Sequence, residues 1–283
     1  MTTEKKNAAE QNWRCCSTVE QVSWKKGGQG MRDELADGWK ISQVEALVGL
    51  PRRDIQRACY EGAGGLGIVH PQNTAWGWRM YETPDMAKLF LLAQARKKAR
   101  SVDDIRSDFA ECDNLETLLV RLSCCEQRSR DLCGVQAGVA LSAHALGCAL
   151  RRAPASAFAE MLDVAFAESV SREGSSRETL RLASESYFSR LLEQLASARA
   201  ADAQPNSAAV QQVCFCAAHE LGRALALGLP AACDMLYRML NAPGVALACE
   251  LWLGPATHSF ANAAVENTIT AVESCTSCGR AEQ

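Results

Sequence analysis

From Trp39 onward the apolar positions recur at helical spacing. Ile41, Val44, Leu47 and Val48 fall at i, i+3, i+6 and i+7, with Ser42, Gln43 and Glu45 between them, which predicts a short amphipathic helix with one inward face. Gly49-Leu50-Pro51 then breaks the pattern. Glycine accepts the left-handed backbone that ends a helix, leucine plugs the core, and proline suits the start of a following helix. In that second helix Ile55 and Cys59 face inward while Arg52, Arg53, Gln56 and Arg57 face outward. Arginine and glutamine at the start of a helix that follows a tight turn can reach phosphates and the edges of guanine and adenine in a major groove.

Further along, Thr83-Pro84-Asp85 reads as a helix cap followed by proline and an acid, opening an amphipathic helix through Met86, Leu89, Phe90 and Leu92. Ser101-Val102-Asp103-Asp104-Ile105 starts another. From Leu115 alternate steps of three and four pass through Leu115, Leu118, Leu122, Cys125, Ser129, Leu132, Gln136, Val139, Ala143, Leu146 and Leu150, of which only Ser129 and Gln136 are not apolar. A heptad sustained that far predicts one long seam of about 50 Å at 1.5 Å per residue. Gly134 and Gly138 weaken it as an exposed coiled coil. Beyond Pro154 the pattern is helical throughout, with segments predicted at Ala155 to Val170, Arg177 to Arg199, Ser207 to Leu229, Ala231 to Leu240, Val245 to Leu253 and Thr257 to Glu273, separated by Gly, Pro, Asn and Ser breakers.

Composition adds a charge asymmetry. Residues 39–110 hold 11 Lys plus Arg against 8 Asp plus Glu, a net of +3, whereas residues 111–283 hold 13 against 19, a net of −6. The balance fits a localised phosphate-facing surface attached to an acidic remainder. The chain is 283 residues long and 48% apolar, enough for two units with real cores. No apolar run reaches the roughly 18 residues of a membrane span, and the first residues lack the apolar stretch of a signal peptide, so a cytoplasmic location without membrane attachment is expected. Residues 1–38 mix Lys, Glu, Asn, Gln and Gly with little periodicity and are expected to be disordered. The 14 cysteines fall largely on apolar helix faces, where Cys behaves as a small hydrophobe and stays reduced.

The segment from residue 39 to about 110 resembles the winged helix-turn-helix of MerR-type transcription regulators. The resemblance is carried by Trp39-Lys40-Ile41, by Gly49, by the closing Gly77-Trp78-Arg79-Met80-Tyr81, and by the capped helix after Thr83. One departure is the end of the second helix. Where the family has an Arg-Tyr-Tyr cluster or similar, this chain has Gln56-Arg57-Ala58-Cys59-Tyr60 followed by Gly62-Ala63-Gly64-Gly65. The resemblance implies promoter double-stranded DNA, RNA polymerase and a second copy of the chain as partners. It assigns Arg53 and Gln56 to base edges, Arg52, Arg57, Arg79 and Tyr81 mainly to phosphates, and Trp78 to packing of the wing. It also makes the heptad of residues 111–153 an antiparallel dimerisation helix. Family members twist an overlong promoter spacer so that polymerase reads both elements.

From Tyr187 the chain is similar to the antibiotic-recognition domain of TipA-type regulators, on Phe188, Gln204-Pro205-Asn206-Ser207, Leu236-Tyr237, Pro243-Gly244-Val245-Ala246 and Asn262-Ala263-Ala264. That implies a globin-like helical unit with a cleft for a hydrophobic small-molecule effector, lined by Phe188, Phe215, His219, Leu236, Tyr237, Trp252 and Phe260. Cys214, Cys216, Cys233 and Cys249 are the thiols there that could trap an electrophile, although buried and inert is the plainer reading. The expected architecture is mainly α. It comprises a winged helix-turn-helix with a small β wing (39–110), a long dimerisation helix (111–153), an all-α globin-like effector domain (154–273) and a flexible tail (274–283).

Two other readings stand beside a ligand-responsive regulator. One is a drug-sequestering helical protein whose DNA binding is vestigial. The other is a thiol- or metal-responsive regulator, in which Cys112 of one chain approaches Cys148 of its dimer partner. Arg151-Arg152-Ala153-Pro154 stands where that kind of regulator carries a metal-binding loop, and Cys275-Thr276-Ser277-Cys278 is a single CxxC, so no metal site is assigned. No cofactor and no enzyme activity are expected. The four histidines form no ligand pair, no serine sits in a GxSxG elbow, and the Gly62 to Gly67 run follows a helix rather than a strand.

Overall fold

The computed structural model describes residues 38–74, 77–97, 102–110, 112, 114–131, 137–171 and 187–278. The N-terminal extension, the end of the tail and the middle of the heptad, including Leu132, Gly134 and Gln136, lie outside the described residues. Within them the chain is mainly helical, with one small sheet.

Strand β1 (Trp39–Lys40) leads directly into α1 (Ile41–Val48). The Lys40 amide donates to Gln43 Oε1 at 2.9 Å, satisfying a donor at the helix start. Val44 and Val48 are buried, and Gly49, at φ +72°, ends the helix with its N–H on the Glu45 carbonyl, as its sequence position predicts. Leu50 is buried, and α2 (Arg52–Cys59) starts after Pro51, whose carbonyl takes the Asp54 and Ile55 amides. Ile55 and Ala58 face inward, fully buried.

Strands β2 (Gln72–Asn73) and β3 (Arg79–Tyr81) form an antiparallel hairpin, and β1 joins the other edge of β3 to give the order β1-β3-β2. The hairpin turn is tied at Thr74, which accepts the Gly77 amide on its carbonyl and the Trp78 amide on its hydroxyl. Helix α3 (Thr83–Arg96) follows. Its capping residue is Glu82, one position before the expected Thr83, and the Glu82 amide donates to Asp85 Oδ2 at 3.0 Å. The acid in the first turn therefore performs the capping that the sequence assigns to threonine.

After α4 (Val102–Ala110), the expected single long helix is corrected to two: α5 (Leu115–Asp131) and α6 (Ala137–Leu150), which fold back and pack on each other. Leu118, Leu122, Ala143 and Leu146, all heptad positions, are buried within the one chain. Gly138, an apparent weakness in a coiled coil, permits close packing instead. A Cβ there would lie 2.6 Å from the Pro243 carbonyl oxygen, so the start of α6 rests directly on the turn before the eleventh helix.

Helices α7 (Ala155–Ser171), α8 (Tyr187–Ala200), α9 (Ala208–Leu225), α10 (Leu229–Leu240), α11 (Val245–Leu253) and α12 (Thr257–Cys278) complete the chain. Helix α12 continues past residue 273, so the expected tail boundary at 274 is replaced by helix through Cys278. Helix α12 packs on α8, α9, α10 and α11, while α11 also touches α6, α7 and α1. One contiguous core thus runs from Trp39 to Val272. Buried Asp163 of α7 holds the start of α8, accepting the Phe188 and Ser189 amides at 3.1 and 2.9 Å and the Ser189 hydroxyl at 2.7 Å. Among the described residues no helix is long and apolar enough to cross a membrane.

Candidate functional site

The outward face of α2 is open. Arg52, Arg53 and Gln56 are exposed, and Arg79 of β3 is exposed beside them. Arg53, Gln56, Arg57, Cys59, Tyr60 and Arg79 line a single open hollow of about 420 Å³, and no carboxylate is among its lining residues. Four of the expected DNA-contacting side chains therefore share one concave surface. The nearest acids on the same helices are engaged elsewhere. Asp54 is ion-paired with Arg96 at the end of α3, and Glu45 accepts the Arg52 amide at 3.0 Å.

Arg57 is only partly exposed, because its Nε donates to the Gly64 carbonyl at 3.2 Å. Arg106 of α4 donates from Nη2 to the neighbouring Gly65 carbonyl at 2.6 Å. These two bonds, with the Leu66 amide on the Arg57 carbonyl, lay the glycine run flat against the end of α2. Tyr60 packs over it, and a Cβ on Gly65 would sit 2.6 Å from the Tyr60 carbonyl carbon. The glycine-rich departure from the MerR pattern is thus explained by the close approach of backbone to backbone.

Tyr81 is corrected. It is fully buried, its hydroxyl 3.7 Å from Cys59 Sγ, and cannot meet a phosphate. Burial, followed by the hydrogen bond to Cys59, pushes its phenol above the usual range, and burial likewise raises the Cys59 thiol. Residues i and i+2 of a strand share a face. Tyr81 fills the deep end beneath Cys59, and Arg79 stands at the open end. Trp78 is also corrected: 63% exposed, it does not pack the wing, and Lys40 Nζ lies 5.7 Å from its ring centroid, within cation–π range.

Sequence reasoning missed Tyr60, which is 61% exposed on the rim, and placed Cys59 wholly inward although it lines the hollow. Tyr60 directly follows the last inward position of α2, and an aromatic just past a helix end beside glycines was the available signal. Nothing in the local pattern marks Lys40 or Arg106.

The residues expected around an effector cleft differ in their exposure. Phe188, Leu236, Trp252 and Phe260 are core residues, Phe215 and Tyr237 are half-buried, and His219 is exposed. Phe188 stacks on Phe166 at 5.1 Å. Neither the hollow at α2 nor one of about 30 Å³ between α7 and α10 is lined by any of them. Large apolar residues at helical spacing are those that pack a helical core, and four of these seven are buried. Burial pushes the Cys214 thiol up to about 12 and that of Cys233 up to about 11, and raises Cys249 as well. Cys216 is half-buried and takes a bond from Gln212 Nε2 at 3.2 Å. Cys112 and Cys148 are both buried, and among the described residues no three His, Cys, Asp or Glu side chains gather as a metal site.

Comparison of the chain with family models, curated proteins and solved structures finds no match.

Proposed function

We propose that this chain is a dimeric, sequence-specific DNA-binding transcription regulator of MerR type. In this reading α2 enters the major groove of promoter DNA and the β2–β3 hairpin acts as a wing on the flanking backbone. The observation that carries it is the concave cationic surface formed by Arg53, Gln56, Arg57 and Arg79, with Arg52 exposed at its edge. Arg53 and Gln56, both on the exposed face of α2, form bidentate bonds to guanine and adenine edges in this reading. Arg52, Arg57 and Arg79 supply the phosphate contacts that fix register. Trp78 and Lys40, stacked at the hairpin, extend the same surface toward the neighbouring backbone.

A palindromic operator calls for two copies of α2 related by a two-fold axis. The inner heptad leucines are already buried within the α5–α6 hairpin, so the pairing surface is drawn from what remains outside. Among the described residues, Leu115 and Val120 of α5, 51% and 56% exposed, are the large exposed apolar side chains there. Because α11 touches α1 and α6 touches α3, a change in the arrangement of the helical part shifts the spacing of the two reading helices. Regulation then follows as a population shift between dimer arrangements that twist DNA differently.

Selection of bound duplexes from a random library tests the reading. The expected result is enrichment of one inverted repeat, lost in an Arg53→Ala variant. Recovery of unenriched sequence would leave the helical part, in a sequestering role, as the working portion of the chain.

A further inference from the structure

We propose that Cys148, His144 and Glu126, on the facing helices of the α5–α6 hairpin, form a thiol site that is oxidised by small hydroperoxides. The site lies apart from the α2 surface and requires nothing of DNA binding. His144 Nδ1 is 3.0 Å from Glu126 Oε1. A carboxylate only accepts, so Nδ1 carries the proton and donates, which leaves Nε2 as the basic nitrogen. Arg130 Nη2 donates to the same carboxylate oxygen at 2.5 Å and holds it in place. Cys148 stands four residues after His144 on α6, which puts the two side chains on the same helix face. The order is nucleophile, base and orienting acid, which is the arrangement that activates a thiol.

The environment sets this cysteine apart from the other buried thiols. Around Cys214 and Cys233 burial dominates and holds the proton on sulfur, with no imidazole among the groups that perturb them. At the hairpin the imidazole itself titrates above its ordinary value, chiefly through its bond to Cys148 and then through Glu126, against the opposing effect of burial. Cys148 is only 4% exposed, whereas the His144 side chain is 34% exposed. Access is therefore along the imidazole edge, which suits a reagent the size of hydrogen peroxide and not a bulky disulfide.

The reaction balances without any other partner. The thiol proton moves to His144 Nε2, and the sulfur attacks one peroxide oxygen. An S–O bond forms as the O–O bond breaks, and the departing hydroxide takes the proton back from His144. Sulfur is oxidised by two electrons to a sulfenic acid and the peroxide is reduced to water.

The test uses the full, reduced chain treated with hydrogen peroxide near neutral pH in the presence of dimedone, with adducts quantified by peptide mass spectrometry. Cys148 is expected to label at least about tenfold faster than buried Cys214 and faster than exposed Cys124, given the usual gain from a positioned base. His144→Asn should bring Cys148 down to the rate of Cys214, and Glu126→Gln should lower it severalfold, with melting temperatures recorded alongside. Labelling of Cys148 no faster than Cys214 in the unaltered protein overturns the proposal. So does an unchanged rate in folded His144→Asn or Glu126→Gln protein. Should His144→Asn not fold, the comparison of the three cysteines and the Glu126→Gln variant still decide.

Discussion

Arg57 donates its Nε hydrogen to the carbonyl of Gly64 at 3.2 Å, which ties α2 to the loop that follows it. Arg106 does the same from α4 to Gly65. The loop is thereby clamped from two sides, beside Tyr60 at the end of α2.

The clamp makes Gly65 the most sensitive loop position. Gly65→Ala would drive a methyl group into the Tyr60 carbonyl, and overpacking against backbone costs about 1–3 kcal/mol. The expected outcome is a melting temperature lowered by several degrees and weaker DNA binding, since the end of α2 must shift. A calorimetric scan and a binding titration check it; an unchanged melt would mean that the loop is not clamped.

Arg53 and Arg79 should fail in different ways. Arg53→Ala is expected to lose about 1–3 kcal/mol on the selected operator and little on random DNA, because a base contact carries the specificity. Arg79→Ala should weaken both equally and reduce the slope of log K against log salt by about one. Competition titrations at several salt concentrations separate the two patterns.

Tyr81 behaves as a core residue. Tyr81→Phe keeps the packing and removes only the contact with Cys59, so stability should change by no more than about 1.5 kcal/mol, the range of a single net hydrogen bond. DNA affinity should stay within about twofold, far below the loss that removing a charge-assisted phosphate contact would bring. A tenfold loss of affinity with an intact melt would restore Tyr81 to the DNA-facing surface.

Stability should fall on the alkaline side of neutrality through His144. Its folded pKa is raised above 6.5, first by the bond to Cys148 and also by Glu126, itself bound by Arg130. A group that holds its proton more tightly when folded contributes fully below the unfolded pKa, and that contribution is lost as pH rises through the folded value. The melting temperature of the unaltered protein should therefore decline from pH 6 toward pH 8 more steeply than that of His144→Asn. Parallel slopes would place the imidazole outside any such coupling.

Periodicity reports that a face is buried, not what buries it, and this explains both the successes and the failures of reading the sequence. Val44, Val48 and Ile55 could be placed because a two-helix unit closed by Gly49 has only one inward side. Leu118, Leu122, Ala143 and Leu146 satisfy a heptad equally well between two chains or within one, and the chain folds back on itself. Phe188, Trp252 and Phe260 have the composition of a ligand pocket, yet whether such residues line a void depends on helix spacing, which no local pattern encodes. Tyr81, given a phosphate role by resemblance alone, shares a strand face with Arg79, and alternation does not say which end of that face is open. The cluster of Glu126, His144 and Cys148 spans two helices, so only the return of α6 onto α5 brings its members together.

The most direct test of a DNA-reading α2 is fluorescence anisotropy of the purified chain with labelled duplex, from low to moderate ionic strength. The account predicts tight binding at low salt that weakens steeply as salt rises, with a log–log slope of about −2.7 per bound protomer from Arg52, Arg57 and Arg79 at about 0.9 per phosphate. Absence of binding at low salt, or binding untouched by removal of Arg52, Arg53 and Arg57 together, would contradict it.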